Sequence, residues 1–457
     1  MSDEAQRNWV LRHRWWLALT ALGLAIRLIW VHHVHPPQNA IWSDMAAYVG
    51  RAERLVVDPW GTHTDEAFFP FGTHYLLAIP MALFGPKAYV ACATWWALLS
   101  AALVPIAYLL CGQLLGGPTW LGRAHGGHEA EDDDLEGSNA AARAAGFLVA
   151  IDYPLFSYGG LFLSEVPFAL FLTATALFAL RFVDGGRGSD AWGLGLCAAL
   201  GSAVRPQLLI GLALALVAMF WHRRAFARLS LRRLGIGLLP VVVVVAFSLA
   251  HSHHHTGRAT ILAQNGGLNR AFGRCHAYEI VGRGGGFGPP AFGTLWRAEQ
   301  ADSDSWPKLD PAKTPTLIVP APMWDEEAMN ALADECVAQT GMARQAQYAA
   351  THVGLLWAFN VAWPHSEHEP YRSYMRGWMR AHLLFVPGMI ATMAMGASRR
   401  WPRHGVVAAF LWSLIVVAML VMGSARFRVP YDALIIVAAL DVYVRIQRWW
   451  QTRAPLP

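Results

Sequence analysis

The stretch Ala40–Glu53, AIWSDMAAYVGRAE, follows directly on the first long apolar segment of the chain, about Trp15 to Val34. It holds one early carboxylate, Asp44, between Trp42 and Tyr48. Tryptophan and tyrosine are enriched where a helix leaves the bilayer. An ionisable residue beside a membrane span is a functional hypothesis by default, and the competing interpretation is a helix cap. We therefore predict that the chain holds Asp44 at a membrane surface, where it is available for chemistry.

The composition is that of a membrane protein. Of the 457 residues, 55% are hydrophobic and 15% are charged, whereas soluble domains carry about 45–50% apolar and roughly 25% charged residues. The net charge of +5 comes mostly from arginines beside predicted helix ends. This pattern is typical of cytoplasmic loops, so no nucleic-acid partner is indicated. The first apolar segment lacks a small-residue cleavage site, which predicts an uncleaved span.

Apolar segments long enough to cross about 30 Å of hydrocarbon recur through both halves of the chain, and they predict an all-α polytopic protein with about ten spans. The segment at 68–84 is too short and too rich in proline and glycine, so we expect it to lie on the surface or to re-enter. Three regions follow: a transmembrane module at 1–250 with a first external loop at 35–87, an external region at 251–376, and C-terminal helices at 377–457. The predicted spans are about 15–34, 88–115, 140–158, 166–183, 191–204, 206–221, 234–250, 378–396, 405–423 and 429–444.

The placement of arginines predicts the orientation. If the segment at 68–84 does not cross, the arginine groups at 7–14, 223–233, 399–403 and 445–453 all fall on one side. Basic loops are cytoplasmic. Both termini are therefore expected in the cytoplasm, and Asp44 and the external region on the outer face. We expect this to be the periplasmic face of a bacterial inner membrane.

Five short motifs follow one another along the chain. They are SDMAAY at 43–48, FPFGTHY at 69–75, LSEVPF at 163–168, AVRP at 203–206 and RFRVPYD at 426–432. Together they resemble the GT-C class of integral membrane glycosyltransferases, in the branch of protein O-mannosyltransferases, the lipid A aminoarabinose transferase and the rhizobial lipopolysaccharide glycosyltransferases (glycosyltransferase family 39-like). The resemblance covers essentially the whole chain. It implies a GT-C fold, with interfacial helices in the first external loop and a large external loop after the seventh span.

The resemblance implies an inverting glycosyltransferase that moves a hexose or pentose from a polyprenyl-phosphate donor to an acceptor hydroxyl on a cell-envelope glycan, lipid or protein. An acceptor hydroxyl is a weak nucleophile, so a carboxylate must take its proton, and the leaving phosphate needs positive charge. By resemblance Asp44 is the base and Glu165 is a second catalytic carboxylate. By the same resemblance Arg205 holds the donor phosphate. Arg426 and Arg428 lie on the predicted outer side, against the positive-inside pattern, which predicts that they bind the donor phosphate or an anionic lipid head, with a pair of surface charges as the alternative. Donor or acceptor contacts are predicted at Tyr48, His74 and Tyr431.

Some members of the class hold a divalent metal ion with an acidic residue of the proline-rich motif and a histidine of the large loop. No carboxylate lies within that motif here, so a metal cofactor stays open, with Glu66, His74 and His276 as candidate ligands. Cys275 and Cys336 both lie in the external region. An oxidising compartment would permit a disulfide between them without requiring one.

Two other classes of function stay open. A secondary transporter or lipid flippase would also be polytopic, but transporters tend to show inverted repeats and ionisable residues near mid-membrane, and neither is visible in the sequence. A polysaccharide polymerase or ligase would share the large external loop but not an acidic motif directly after the first span. Within the external region, we expect the glycine-rich run at 282–288 to be a flexible loop and about 325–363 to form amphipathic helices.

Overall fold

The computed structural model describes residues 3–116, 132–276, 279–283, 285–287, 316–322, 325–357 and 370–453, with side chains over 14–116, 140–276, 325–357 and 370–452. The helices are α1 (Asp3–Ile29), α2 (Asp44–Val57), α3 (Gly72–Phe84), α4 (Tyr89–Leu114), α5 (Asp132–Ile151), α6 (Tyr153–Ser157), α7 (Glu165–Gly185), α8 (Gly188–Val204), α9 (Gln207–Trp221), α10 (Leu231–Gly237), α11 (Leu239–Thr256), α12 (Gly266–Arg274), α13 (Glu326–Leu355), α14 (Tyr371–Ala381), α15 (Val386–Ala397), α16 (Pro402–Leu420), α17 (Ala425–Arg428) and α18 (Asp432–Arg453). The strands are β1 (Glu279–Arg283), β2 (Gly285–Phe287) and β3 (Thr316–Pro322).

Every predicted span falls on helical chain, and the prediction of a helical polytopic membrane protein is confirmed. Within the described ranges, five helical segments are long and apolar enough to cross a membrane: Arg14–Asn39, Tyr89–Leu114, Glu165–Gly185, Leu231–Thr256 and Pro402–Leu420. Shorter apolar helices lie at Gly72–Phe84, Ala140–Ile151 and Gln207–Trp221. The total of ten crossings stays a prediction.

The predicted surface segment at 68–84 forms α3, which has 13 residues. At 1.5 Å per residue this helix is about 20 Å long, shorter than the hydrocarbon core. It packs on α2, α4 and α8. Gly72, at its start, lies so close to α8 that a Cβ there would be 2.6 Å from the carbonyl carbon of Ala203. This close approach brings the first external loop to the end of α8.

A buried arginine joins the first helices of the bundle. Arg27 is fully buried on α1, and its guanidinium donates to Ser100 Oγ at 2.7 Å and to the carbonyls of Gly23, Val149 and Ala150 at 3.0–3.1 Å. The last carbonyls of a helix have no partner within the helix, so Val149 and Ala150 of α5 are natural acceptors. A buried charge requires such bonds. They account for an arginine inside an apolar span.

The external region contains a small sheet that the sequence did not predict. β1 pairs antiparallel with β2, with Val281 opposite Gly286, and parallel with β3. The expectation of a flexible loop at 282–288 is therefore wrong for the described part of that run. A strand is held in a sheet by backbone N–H and C=O hydrogen bonds, which glycine can make like any other residue. A glycine-rich run can therefore pair as a strand. The pairing depends on β3, which is distant in sequence.

The predicted amphipathic region at about 325–363 forms α13 as far as Leu355, and the rest of the expectation lies partly outside the described residues. Cys336 on α13 is joined by a disulfide to Cys275, the residue that ends α12. Both half-cystines are fully buried between the two helices, beside Ala271 and Met329. The pairing that the sequence left open thus fixes α12 against α13.

Candidate active site

The position of Asp44 is set by a sharp turn into α2. Ser43, which precedes it, has a φ of 51°, a conformation that non-glycine residues adopt rarely and at a cost of about 1–3 kcal/mol. The N–H of Met45 donates to the carbonyl of Trp42 at 3.1 Å, which closes this turn. The side chain of Asp44 stays 33% exposed. A substrate can therefore reach this carboxylate.

Glu165 begins α7 and is almost completely buried, with 1% of its surface exposed. Its Oε1 accepts a hydrogen bond from Arg205 Nη2 at 2.6 Å and another from Arg426 Nε. Its Oε2 is buried and has no hydrogen-bond partner among the described residues. A buried carboxylate requires compensating charge, which the two guanidiniums and the N-terminus of α7 supply.

Arg205 caps the C-terminus of α8 and precedes Pro206, which removes a backbone donor and helps to end the helix. Its Nε donates to Ser164 Oγ at 2.8 Å. Its guanidinium carbon lies 5.7 Å from the ring centroid of Phe168 and 5.5 Å from that of Phe427. Its Nη1 is buried without a hydrogen-bond partner in the described part of the chain. A rigid guanidinium with an unpaired N–H suits an anionic oxygen.

Arg426 connects the two carboxylates. Its Nη1 donates to Asp44 Oδ2 at 3.1 Å while its Nε donates to Glu165. Burial disfavours the charged form, but Glu165 and Asp44 outweigh burial and raise the pKa of the Arg426 guanidinium. The contact joins residues 382 positions apart. Asp44, Glu165, Arg205 and Arg426 form one connected group, hereafter the Asp44 cluster.

The Asp44 cluster contains two carboxylates and two guanidiniums, so it is formally neutral. Both arginines share Glu165 Oε1, and Arg426 also reaches the partly exposed Asp44. The buried Nη1 of Arg205 has no hydrogen-bond partner among the described residues, so an anionic oxygen that reached it would break no bond of that atom. The same oxygen can also interact electrostatically with the Arg426 guanidinium. Glu165 is almost completely buried and accepts hydrogen bonds from both arginines. Its catalytic role stays a prediction.

Two predicted substrate contacts are packing residues. Tyr48 is 4% exposed, and its ring lies against Phe69 with the centroids 4.9 Å apart. Burial and the Asp44 carboxylate raise the pKa of Tyr48 to about 12. Tyr431 is completely buried, with its hydroxyl 3.1 Å from Ser413 Oγ. The expectation of a substrate contact is not met by Tyr431, because the 3₁₀ turn after α17 directs this ring into the core.

The predicted metal ligands do not converge. Glu66 Oε2 lies 3.6 Å from His74 Nε2, but Glu66 Oε1 accepts two hydrogen bonds from Arg54, at 2.7 and 2.9 Å. His276 lies elsewhere, with its Nε2 3.1 Å from His352 Nε2. Burial raises the pKa of Glu66 against the opposing effect of Arg54. With a guanidinium bound to the carboxylate and the third residue in another place, this set does not fit a divalent ion. His74 is also fully buried, which is incompatible with a direct substrate contact.

Arg428 lies in a second charged group and not beside Arg426, so the structure does not bring it together with the other predicted phosphate ligands. Its Nε is 2.9 Å from Asp432 Oδ1. His382 Nε2 lies 2.6 Å from Asp152 Oδ2 and 3.7 Å from Asp432 Oδ2. Residues two positions apart on a helical turn face in opposite directions, which separates Arg428 from Arg426. Asp152, His382, Arg428 and Asp432 are hereafter the Asp432 cluster.

The Asp432 cluster is completely enclosed, with exposed fractions of 0–2%. Within the described residues, Asp152, His382 and Asp432 are the one group of three metal-ligand side chains whose ligand atoms lie close together. Arg428 lies beside Asp432 and supplies positive charge to the two carboxylates. Sequence reasoning missed this cluster. Its signal was a set of isolated ionisable residues inside predicted spans, Asp152, His382 and Asp432.

The fold and the site define a helical multi-pass membrane protein with a partly accessible cluster of carboxylates and arginines where several helices end. No family model matches the chain, and no curated protein matches it.

Three solved structures are similar to the chain at low identity. They are the archaeal oligosaccharyltransferase AglB from Archaeoglobus fulgidus in complex with an inhibitory peptide and a dolichol-phosphate (13% identity, TM-score 0.49, 98% of this chain and 52% of that chain), the oligosaccharyltransferase of the same organism in the apo form (12%, 0.46, 96% and 51%), and that enzyme tethered to an acceptor peptide (14%, 0.46, 98% and 51%). The chain spans about half the length of these structures.

Proposed function

We propose that the chain is a GT-C-class inverting glycosyltransferase, which moves a sugar from a polyprenyl-phosphate donor to an acceptor hydroxyl. The observation that carries the proposal is the Asp44 cluster, in which an accessible carboxylate is bonded to Arg426, and Arg426 shares Glu165 with a second arginine, Arg205. This is the pairing of base and anion site that the reaction requires. The motif order along the sequence supports the same class.

The residues divide the reaction between them. Asp44 takes the proton of the acceptor hydroxyl as its oxygen attacks the anomeric carbon. The bond from that carbon to the phosphate oxygen breaks on the opposite face, and the electron pair leaves with polyprenyl phosphate. Arg205 and Arg426 stabilise the negative charge that develops there. Glu165 keeps both guanidiniums in position, and attack opposite the leaving group inverts the anomeric configuration.

The acceptor is proposed to enter from the side of the external region. A cavity of about 750 Å³ lies between the first external loop, the segment before α12 and the start of α13, with Thr64, Gln264, Glu326 and Asn330 in its wall. Hydroxyl, amide and carboxylate groups of this kind suit a hydroxyl-rich acceptor. In a bacterium this side would be the periplasmic face of the inner membrane, and the acceptor would be a cell-envelope glycan, lipid or protein.

The test uses the purified protein in lipid nanodiscs, a labelled sugar on polyprenyl phosphate, and envelope extract from a strain that lacks the gene as acceptor. The expected result is label in a new glycolipid, glycan or protein with wild-type protein and none with Asp44→Asn. Comparing the glycolipids and glycans of the deletion strain with those of its parent identifies the acceptor. Counter-ion-dependent movement of lipid or sugar across proteoliposomes, without a new glycosidic bond, would overturn the proposal in favour of transport.

A further inference from the structure

The external pair α12–α13 contacts the chain immediately before Arg426. Arg274, at the end of α12, donates through Nη2 to the carbonyls of Met419 and Leu420 at 2.8 and 2.6 Å. These are carbonyls of the last turn of α16, which have no partner within the helix. The same arginine is the neighbour of Cys275, so the disulfide lies directly behind this contact. The pair is thus attached to the end of α16.

Two glycines make this contact close. A Cβ on Gly273 would lie 1.5 Å from the carbonyl oxygen of Val421. A Cβ on Gly423 would lie 1.9 Å from the carbonyl oxygen of His352. Neither position has room for a side chain, so backbone packs on backbone from both directions. The segment from Val421 to Gly423 therefore has its position set by α12 and α13.

A hydrogen bond to an imidazole completes the contact. The N–H of Gly423 donates to His352 Nδ1 at 2.9 Å. A backbone N–H is always the donor, so Nδ1 carries a lone pair and the neutral ring holds its proton on Nε2. That atom lies 3.1 Å from His276 Nε2 and 3.3 Å from the carbonyl of Gly273. Burial lowers the pKa of His352 to about 4, so the ring stays neutral near pH 7 and keeps Nδ1 as an acceptor.

Two residues, Ser424 and Ala425, separate Gly423 from Arg426 of the Asp44 cluster. Ser424 follows Gly423, and its Oγ accepts from the N–H of Arg426 at 3.2 Å, which starts the short helix α17. Arg426 then reaches Asp44 and Glu165. Gly341, with a φ of 75°, kinks α13 between Cys336 and His352, but the part after the kink still contacts α12, where Gln345 Nε2 donates to the carbonyl of Arg274 at 3.0 Å. We propose that His352, held against the end of α12 that the Cys275–Cys336 disulfide fixes, is a positioning residue that fixes the backbone from which Arg426 reaches the donor phosphate. The proposal rests on the proposed function.

The sharpest test compares two amides at position 352. The Oδ1 of asparagine lies near the position of histidine Nδ1, whereas the amide of glutamine extends towards Nε2. His352→Asn therefore keeps an acceptor for Gly423, and His352→Gln removes it. Because a displacement of about 1 Å at a reacting site can cost roughly 100-fold, we expect kcat to fall at least about tenfold in His352→Gln. The KM for the acceptor should be unchanged, and His352→Asn should stay within about threefold of wild type.

A double variant distinguishes positioning from general damage. If His352 acts through Arg426, His352→Gln should lower transfer no further in an Arg426→Ala background, because coupled residues are not additive. Equal losses in His352→Asn and His352→Gln, or a full additional loss in the double variant, would overturn the proposal. Full activity of Arg426→Ala would instead contradict the proposed phosphate role, and the inference would fall with it.

The disulfide gives a second test. Cys275→Ser combined with Cys336→Ser should lower kcat in the same direction as His352→Gln, with the protein still inserted in the membrane. A phosphine reductant should lower the activity of wild type and have no further effect on the double serine variant. That variant controls for the free cysteines Cys92, Cys111 and Cys197. Unchanged kcat in the reduced enzyme and in the double variant would show that the disulfide has no positioning role.

Discussion

The Asp44 cluster and the Asp432 cluster are each built from two carboxylates and two basic side chains, but they differ in access. In the Asp44 cluster, Asp44 keeps 33% of its side chain exposed. In the Asp432 cluster, every residue is at most 2% exposed. Charge alone therefore does not identify a site. The accessible carboxylate does.

Their positions in the fold explain the difference. Asp44 lies on a helix of the external loop, and its three partners come from the ends of α7, α8 and α16–α17. The Asp432 cluster joins α5, α17–α18 and the turn after α14, so its charges hold helices together. Buried ion pairs contribute little net stability, but breaking one is costly. We therefore expect substitutions in the first cluster to lower the rate and those in the second to lower stability.

The largest effect is expected for Asp44→Asn. Asparagine keeps the shape and an acceptor for Arg426 but cannot take a proton, so transfer should fall by about 10²–10⁴-fold. Stability should change by at most about 1 kcal/mol, because the pair is partly exposed. Initial rates with labelled donor and thermal unfolding in detergent measure the two quantities. Asp58→Asn, an exposed carboxylate of the same loop, is the matched control and should be fully active.

Asp432→Asn should act on stability and not on chemistry. The substitution replaces the carboxylate that faces Arg428 and His382 by a neutral amide in a buried site. We expect the free energy of unfolding to fall by about 3–5 kcal/mol. Denaturant unfolding of the purified protein measures this loss, and the rate per folded molecule should stay normal. A stable but inactive Asp432→Asn protein would contradict the assignment and bring the Asp432 cluster into the active site.

Arg426→Ala should remove one of the two charges that stabilise the leaving phosphate. Loss of one such donor costs about 10²–10³-fold in kcat in other enzymes. In this variant the buried carboxylate of Glu165 still has its ion pair with Arg205, so we expect the protein to fold and to insert. Steady-state rates at saturating donor, with insertion checked by gel filtration in detergent, test this expectation. A change in KM alone would indicate that Arg426 binds the donor equally in the ground state and the transition state.

Arg205→Lys should give the smallest effect. Lysine keeps the charge but loses the planar group that spans Ser164 and Glu165 while its Nη1 stays unpaired. We expect the KM for the donor to rise about tenfold with a smaller change in kcat. Titration of the donor at fixed acceptor provides the measurement. An effect larger than that of Arg426→Ala would reverse the order of the two arginines.

The sequence predicted site residues best where a charged residue stands at the end of a predicted membrane span. Asp44, Glu165 and Arg205 each stand at the end of an apolar segment in a recognisable motif, so their grouping on one side could be predicted from span order. Arg426 also gave a signal, because it is an arginine on the predicted outer side, against the positive-inside pattern. Arg428 gave the same signal but has a different role. The two side chains point in different directions from the four-residue helix α17, and the amino-acid composition does not specify these directions.

By itself the sequence determined the helical membrane class, the helix order and the three residues around which the site is built. Apolar length and isolated charge are properties of short segments, so they can be read locally. Only the tertiary structure decided which charge meets which. Arg426 reaches Asp44 across 382 positions, His276 pairs with His352 and not with Glu66, and Cys275 bonds to Cys336. Each of these contacts depends on packing between distant helices, which no local pattern specifies.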